Sequence, residues 1–222
     1  APYTRGWALH CINATTGKLI WKVDEPMTPG ACADGYLTAG DQYNGYMYVF
    51  GKGKSKTTVE APLTAITQGQ SVVIKGTVTD LSPAQLGAAC VSEESMGAYM
   101  SYLHLQSQLP SDCTGVPVSL DAIDPNGNYV HIADVTSDVS GTFSYMWKPD
   151  LVGLYKVTAT FAGSESYGTS FAETAVGVVE APASPTPTPT PQPQALPDNT
   201  PTIIGTGIAI IIAVAIVGVM LY

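Results

Sequence analysis

In the nine residues Gly153–Phe161, GLYKVTATF, apolar and polar side chains alternate from Tyr155 onward. Successive side chains of a strand point to opposite faces, so Tyr155, Val157, Ala159 and Phe161 share one side and Lys156, Thr158 and Thr160 the other. That is the pattern of a strand with one face in a core. Runs of the same kind lie on either side: Ser71–Thr79, Val116–Ile123, Tyr129–Val135, Gly141–Trp147 and Phe171–Val179. They recur about every ten residues and are separated by turn-forming stretches such as Asp124-Pro-Asn-Gly127 and Ser137-Asp-Val-Ser-Gly141, which predicts a β-sandwich over residues 56–180. The segment Asp124–Asn128 fits a hairpin turn better than a calcium loop, because Gly127 comes too early for an EF-hand and no Glu follows at the required distance.

The sandwich pattern is interrupted over residues 81–115. Inside this insertion Ser92–Gln106 reads as a helix: Ser92 can cap it, and Glu93 and Glu94 fall in the first turn, where the helix dipole favours acid. Met96, Tyr99, Met100 and Leu103 form one apolar stripe, which either packs over the open end of the sandwich or serves as a partner-binding surface. Cys90 and Cys113 bracket the helix and are expected to be bridged, closing the insertion. The rival is a metal site, but two cysteines and one distant His104 fall short of four zinc ligands. Cys11 and Cys32 could pair across neighbouring strands.

The string Asp150-Leu-Val-Gly153-Leu-Tyr155, one residue longer than D-x-G-x-Y, resembles the corner of immunoglobulin-like domains. With its flanks TSDVSGTFSYMWKP and ATFAGSESYGTS it is similar to the Ig-like modules of prokaryotic surface proteins, which lack the inter-sheet disulfide of antibody domains. The resemblance covers about half of the chain and implies a module that holds things apart or binds proteins.

Residues 1–55 carry a different signature. Trp7–Asn13 and Leu19–Val23 are strand-like and joined by a turn at Gly17; Tyr36–Ala39 and Tyr46–Phe50 form a second pair around Asn44-Gly45, a strong hairpin signal. The stretch Leu9–Trp21 (LHCINATTGKLIW) resembles the repeat of PQQ-like β-propellers through Leu9, Ile12, Ala14, Thr16, Gly17, Lys18, Leu19 and Trp21, and Ala33–Gly40 resembles the start of a further repeat. This implies about one propeller blade, the end of a longer propeller, because a lone blade leaves two apolar faces uncovered. An extra sheet packed on the sandwich is the alternative. The family's quinoprotein enzymes carry adjacent cysteines and metal-binding carboxylates, and this stretch has no adjacent cysteines, so no cofactor is expected here. Asn13-Ala14-Thr15 is an N-glycosylation sequon, and Lys52, Lys54 and Lys56 read as a solvated linker.

Residues 181–201, APASPTPTPTPQPQALPDNTP, form a Pro/Thr-rich stalk in which polyproline II at ~3.1 Å per residue gives a semi-rigid spacer with O-glycosylation candidates. Residues 202–222 carry no charge and no proline, and a helix of that length spans ~31 Å, enough for a bilayer's hydrocarbon core. No Lys or Arg follows to set orientation by charge, so residues 1–201 are placed outside the cell from the stalk and the cysteines. Gly205, Ala209 and Ala213 form a small-residue stripe suited to weak self-association.

A net charge of −9 argues against nucleic-acid partners. His10, His104 and His131 are scattered, no G-x-S-x-G occurs, and no catalytic or metal-ligating set emerges. The whole resembles the C-terminal part of a prokaryotic cell-surface protein, with an archaeal source as one reading: an all-β chain of propeller end, Ig-like sandwich, stalk and single transmembrane helix. Its expected work is non-catalytic binding of proteins or glycans, or scaffolding. The alternatives are the end of an anchored PQQ-dependent dehydrogenase whose active site lies in missing N-terminal blades, and a structural envelope component.

Overall fold

The computed structural model of the chain describes residues 7–182 and 198–221. It divides into two compact units, Ala1–Ala181 and Pro182–Tyr222. The first opens with β1 (Leu9–Ile12) and β2 (Leu19–Val23), an antiparallel hairpin, followed by the antiparallel sheet of β3 (Met27–Ala33), β4 (Tyr36–Asp41) and β5 (Met47–Phe50). Where one four-stranded blade was expected, five strands divide between two small sheets. They share one core: Leu9, Met27 and Ala39 are buried, and Trp21, Val23, Leu37, Tyr48 and Phe50 pack around them. Trp21 and Phe50 stack at 5.3 Å between ring centroids, joining the hairpin to the sheet. The outer sides of both sheets keep Ile12, Ile20, Met47 and Val49 exposed.

The chain then builds two facing sheets. The smaller consists of β6 (Ser55–Glu60), β8 (Val72–Asp80) and β11 (Thr142–Trp147), in the order β11-β8-β6. The larger consists of β7 (Ile66–Thr67), β9 (Pro117–Ile123), β10 (Tyr129–Thr136), β12 (Gly153–Phe161) and β13 (Ser170–Val179), in the order β10-β9-β12-β13-β7. Only β7 runs parallel to its neighbour. Val72, Ile74, Val78 and Phe143 from one sheet meet Val118, Leu120, Val157, Phe161 and Val176 from the other in a single core. On one side β6 lies against β13: Ser55 Oγ donates to Gly168 O at 2.6 Å and to Ser170 Oγ at 2.8 Å, and Thr57 Oγ1 and Ser170 Oγ lie 2.7 Å apart. The sheets thus curl toward an open half-barrel.

The decisive strand behaves as its alternation requires. In β12, Tyr155, Val157, Ala159 and Phe161 are buried while Leu154 and Lys156 are exposed. At its start Leu151 N–H donates to Tyr155 Oη at 2.8 Å, and Trp147 meets the Tyr155 ring edge-on at 5.0 Å. Glycine is required at position 76 in β8, where a Cβ would run into the Thr58 carbonyl oxygen and the Phe143 ring.

The insertion forms α1 (Glu93–His104), capped by Ser92, whose side chain accepts from Ser95 N–H at 3.3 Å. All four cysteines are free, so the bridges expected at Cys90–Cys113 and Cys11–Cys32 are not formed in this structure. Cys90 belongs to the core between the two sheets, whereas Cys113 packs with Ala89, Val91 and Tyr99 beneath the helix. Between them lies the isolated bridge Val91↔Gly115. It sets Cys90 opposite Val116, three residues along the chain from Cys113.

In the second unit α2 (Thr200–Met220) is a continuous helix with Pro201 in its first turn. It starts two residues before the apolar run. The core of the expected stalk, residues 183–197, lies outside the described residues.

Candidate functional site

The double sheet has two ends, about ten residues of β13 apart, or ~33 Å at strand rise. At the first end the chain enters from the N-terminal sheets: Gly53 N–H donates to Ser166 O at 2.9 Å and Gly168 N–H to Gly53 O at 2.7 Å. At the other end the chain leaves, with Gln68 N–H donating to Val179 O at 2.8 Å immediately before the Pro/Thr-rich sequence. Entry and exit are therefore separated by a rigid double sheet.

Helix α1 closes the entry end. The Glu93 carboxylate accepts from Ser166 N–H at 2.9 Å and from Ser166 Oγ at 2.8 Å; burial pushes its carboxyl up, but hydrogen bonds from Ser164 and Ser166 outweigh it and hold its pKa below the usual carboxylate range. The apolar stripe of the sequence is turned into protein. Tyr99 is buried with its hydroxyl accepting from Ala89 N–H at 3.3 Å, and Met96, Met100 and Leu103 pack around Ala89 and Val91. Tyr102, 41% exposed, is the apolar side chain on the helix's open side. His104 joins α1 to the N-terminal sheets: its Nε2 donates to Gln85 Oε1 at 3.1 Å and its ring meets Tyr48 edge-on at 6.4 Å, while burial pushes its pKa down.

The outer face of the larger sheet carries a second polar constellation. Asp121 Oδ1 accepts from Tyr129 Oη at 2.6 Å and from His131 Nδ1 at 2.9 Å, and Asp121 Oδ2 accepts from Ser119 Oγ at 3.1 Å. Asp134 Oδ2 stands 3.7 Å from His131 Nε2, across the bulge between His131 and Ala133. Burial pushes the Asp121 carboxyl up, but the bonds from Tyr129, His131 and Ser119 outweigh it and hold it below the usual range. The bond to Asp121 in turn raises His131 above an ordinary imidazole. In the sequence His131 stands isolated from Asp121, the acid that would mark it. The partners became visible only once the β9–β10 register set it opposite Asp121.

Among the described residues no three His, Cys, Asp or Glu side chains form a metal-holding group. Asn13 is exposed at the β1–β2 turn, its Oδ1 accepting from Thr15 and Thr16 N–H at 2.9 Å each.

Considered by itself, α2 has 21 residues, no charged group and every described side chain exposed. Its one interior hydroxyl is satisfied internally, Thr206 Oγ1 donating to Thr202 O at 2.9 Å and Ile203 O at 3.0 Å. It is a helix suited to a single membrane span, and the β-rich remainder is extracellular, exposed mass. Gly205, Ala209 and Ala213 follow one another at four-residue intervals along it.

No protein-family model and no curated protein sequence matches the chain. Among solved structures it is similar, at 13% identity and a TM-score of 0.33, to the CARDB domain of a Pyrococcus furiosus protein solved with di-metal ions, covering 59% of this chain and 96% of that domain. It is also similar to a β-glucosidase from Listeria innocua at 11% identity and a TM-score of 0.33, covering 60% of this chain and 17% of that enzyme. A complex of that glucosidase with isofagomine gives 13% and 0.32 over the same shares.

Proposed function

We propose that this chain is a membrane-anchored, non-catalytic surface module that holds its N-terminal sheets away from the bilayer and presents them to protein or glycan partners. The observation that carries this reading is polarity: the chain enters the double sheet beside Tyr167 and leaves it beside Val179, on the way to an all-apolar helix. The Ig-like assignment is supported by the Leu151–Tyr155 bond and the Trp147–Tyr155 contact. The propeller assignment is supported by the exposed outer faces of the two N-terminal sheets, which are the surfaces a neighbouring blade would cover. Asn13 is proposed as a glycan attachment site, and the Gly205–Ala209–Ala213 stripe as a helix–helix contact.

The test is a display experiment on cells or proteoliposomes carrying the full chain. An antibody against the β1–β2 hairpin should bind intact cells, and external protease should release an N-terminal fragment by cutting after residue 181. A hairpin reachable only after permeabilisation would refute the proposal.

A further inference from the structure

Asp41, at the end of β4, is 4% exposed, and its two carboxylate oxygens have different fates. Oδ1 accepts from Tyr43 N–H at 2.7 Å and Asn44 N–H at 3.4 Å, shaping the turn into β5. Oδ2 is enclosed and has no partner, and it is the one such side-chain atom among the described residues. An unpartnered buried carboxylate oxygen is costly and calls for an occupant. The segment Glu25–Met27 is stitched to the same spot: Met27 is the register partner of Asp41, Gln42 N–H donates to Pro26 O at 3.2 Å, and Met27 N–H donates to Glu25 O at 2.7 Å. Glu25 is half-buried there, and among the described residues neither it nor Asp41 has a cationic partner. The nearby ammonium does not supply one, since Lys22 Nζ is held by Asp24 at 2.6 Å.

We propose that Asp41 and Glu25 form a site for a hard divalent cation, calcium by class, at the seam between the β2–β3 connection and the β4–β5 turn. Two carboxylates, with main-chain carbonyls and water completing an all-oxygen shell, suit calcium's flexible coordination better than magnesium's strict octahedron. So few charged ligands place the affinity near 10⁻⁴–10⁻³ M, roughly the range of extracellular modules. The cation would pin the two N-terminal sheets together.

The full chain in detergent should be titrated with terbium, whose luminescence Tyr43 and Tyr46 on the same turn can sensitise, and then with calcium as competitor. Saturable terbium emission displaced by millimolar calcium is expected, together with a calcium-dependent rise in Tm. Asp41→Asn keeps the Oδ1 acceptor and should fold; it and Glu25→Gln should lose terbium binding by roughly tenfold or more. Unchanged terbium binding in both variants would overturn the site. So would a wild-type Tm that ignores calcium but falls as pH rises, the signature of a proton shared between the two acids instead.

Discussion

Cys90 shows how burial sets the chemistry of a single group. Enclosed in the core between the two sheets, with Asp80 adding to the effect of desolvation, its thiol is pushed up to about 12, so it stays protonated at neutral pH. A thiolate-specific reagent at pH 8 should label exposed Cys32 in the folded protein and reach Cys90 only after denaturant is added. Mass spectrometry of the labelled peptides distinguishes the two, and rapid labelling of Cys90 in the native state would contradict the packing. His131 gives the opposite case at the surface. Its folded pKa is raised by Asp121, so its contribution to stability is present below the unfolded imidazole pKa and is lost as pH rises through the folded value. Asp121, held low, contributes above the unfolded carboxylate pKa and loses that contribution as pH falls through its folded value. The pair therefore supports the β9–β10 edge most strongly in the window between those two limits. An NMR titration should place His131 above the ordinary histidine range, and Asp121→Asn should bring it back down.

Elements differed in how openly the sequence declared them. β8, β9, β11, β12 and β13 were legible to within a residue or two because large apolar side chains alternate with polar ones. β6 was hidden among the lysines of GKGKSK: two of its inward positions are Ser55 and Thr57, polar groups that enter the interior only because Ser170 hydrogen-bonds them. β3 was missed because Pro29 and Gly30 argue against a strand, and the irregular register between Pro29 and Cys32 is how the sheet accommodates them. α1 was legible from its cap and its acids, whereas the direction of its stripe depended on Ala89 and Val91, residues with no helical signal of their own. Ser92→Ala should cost about 1 kcal/mol in chemical denaturation by removing the cap. Gly76→Ala should cost about 3 kcal/mol, because the new methyl meets a main-chain oxygen and the Phe143 ring rather than a side chain free to move. A Gly76→Ala protein as stable as the parent would show that β6 and β8 are not packed as described.

For the whole molecule, the question is what its two units live in. The β-rich unit has its own core, and α1 closes one end of it. α2 is apolar on every side, and water is a poor solvent for such a surface. Separation of the units by a Pro/Thr-rich segment is a property of the sequence, and it suits a protein that works at a distance from its anchor. The most direct measurement is fractionation of cells expressing the full chain and a version ending at residue 199. The full chain should remain in the membrane pellet through alkaline carbonate and leave it only with detergent, while the shortened one is recovered in the soluble fraction. A full chain that washes off in carbonate, or a shortened one that stays in the pellet, would contradict the account.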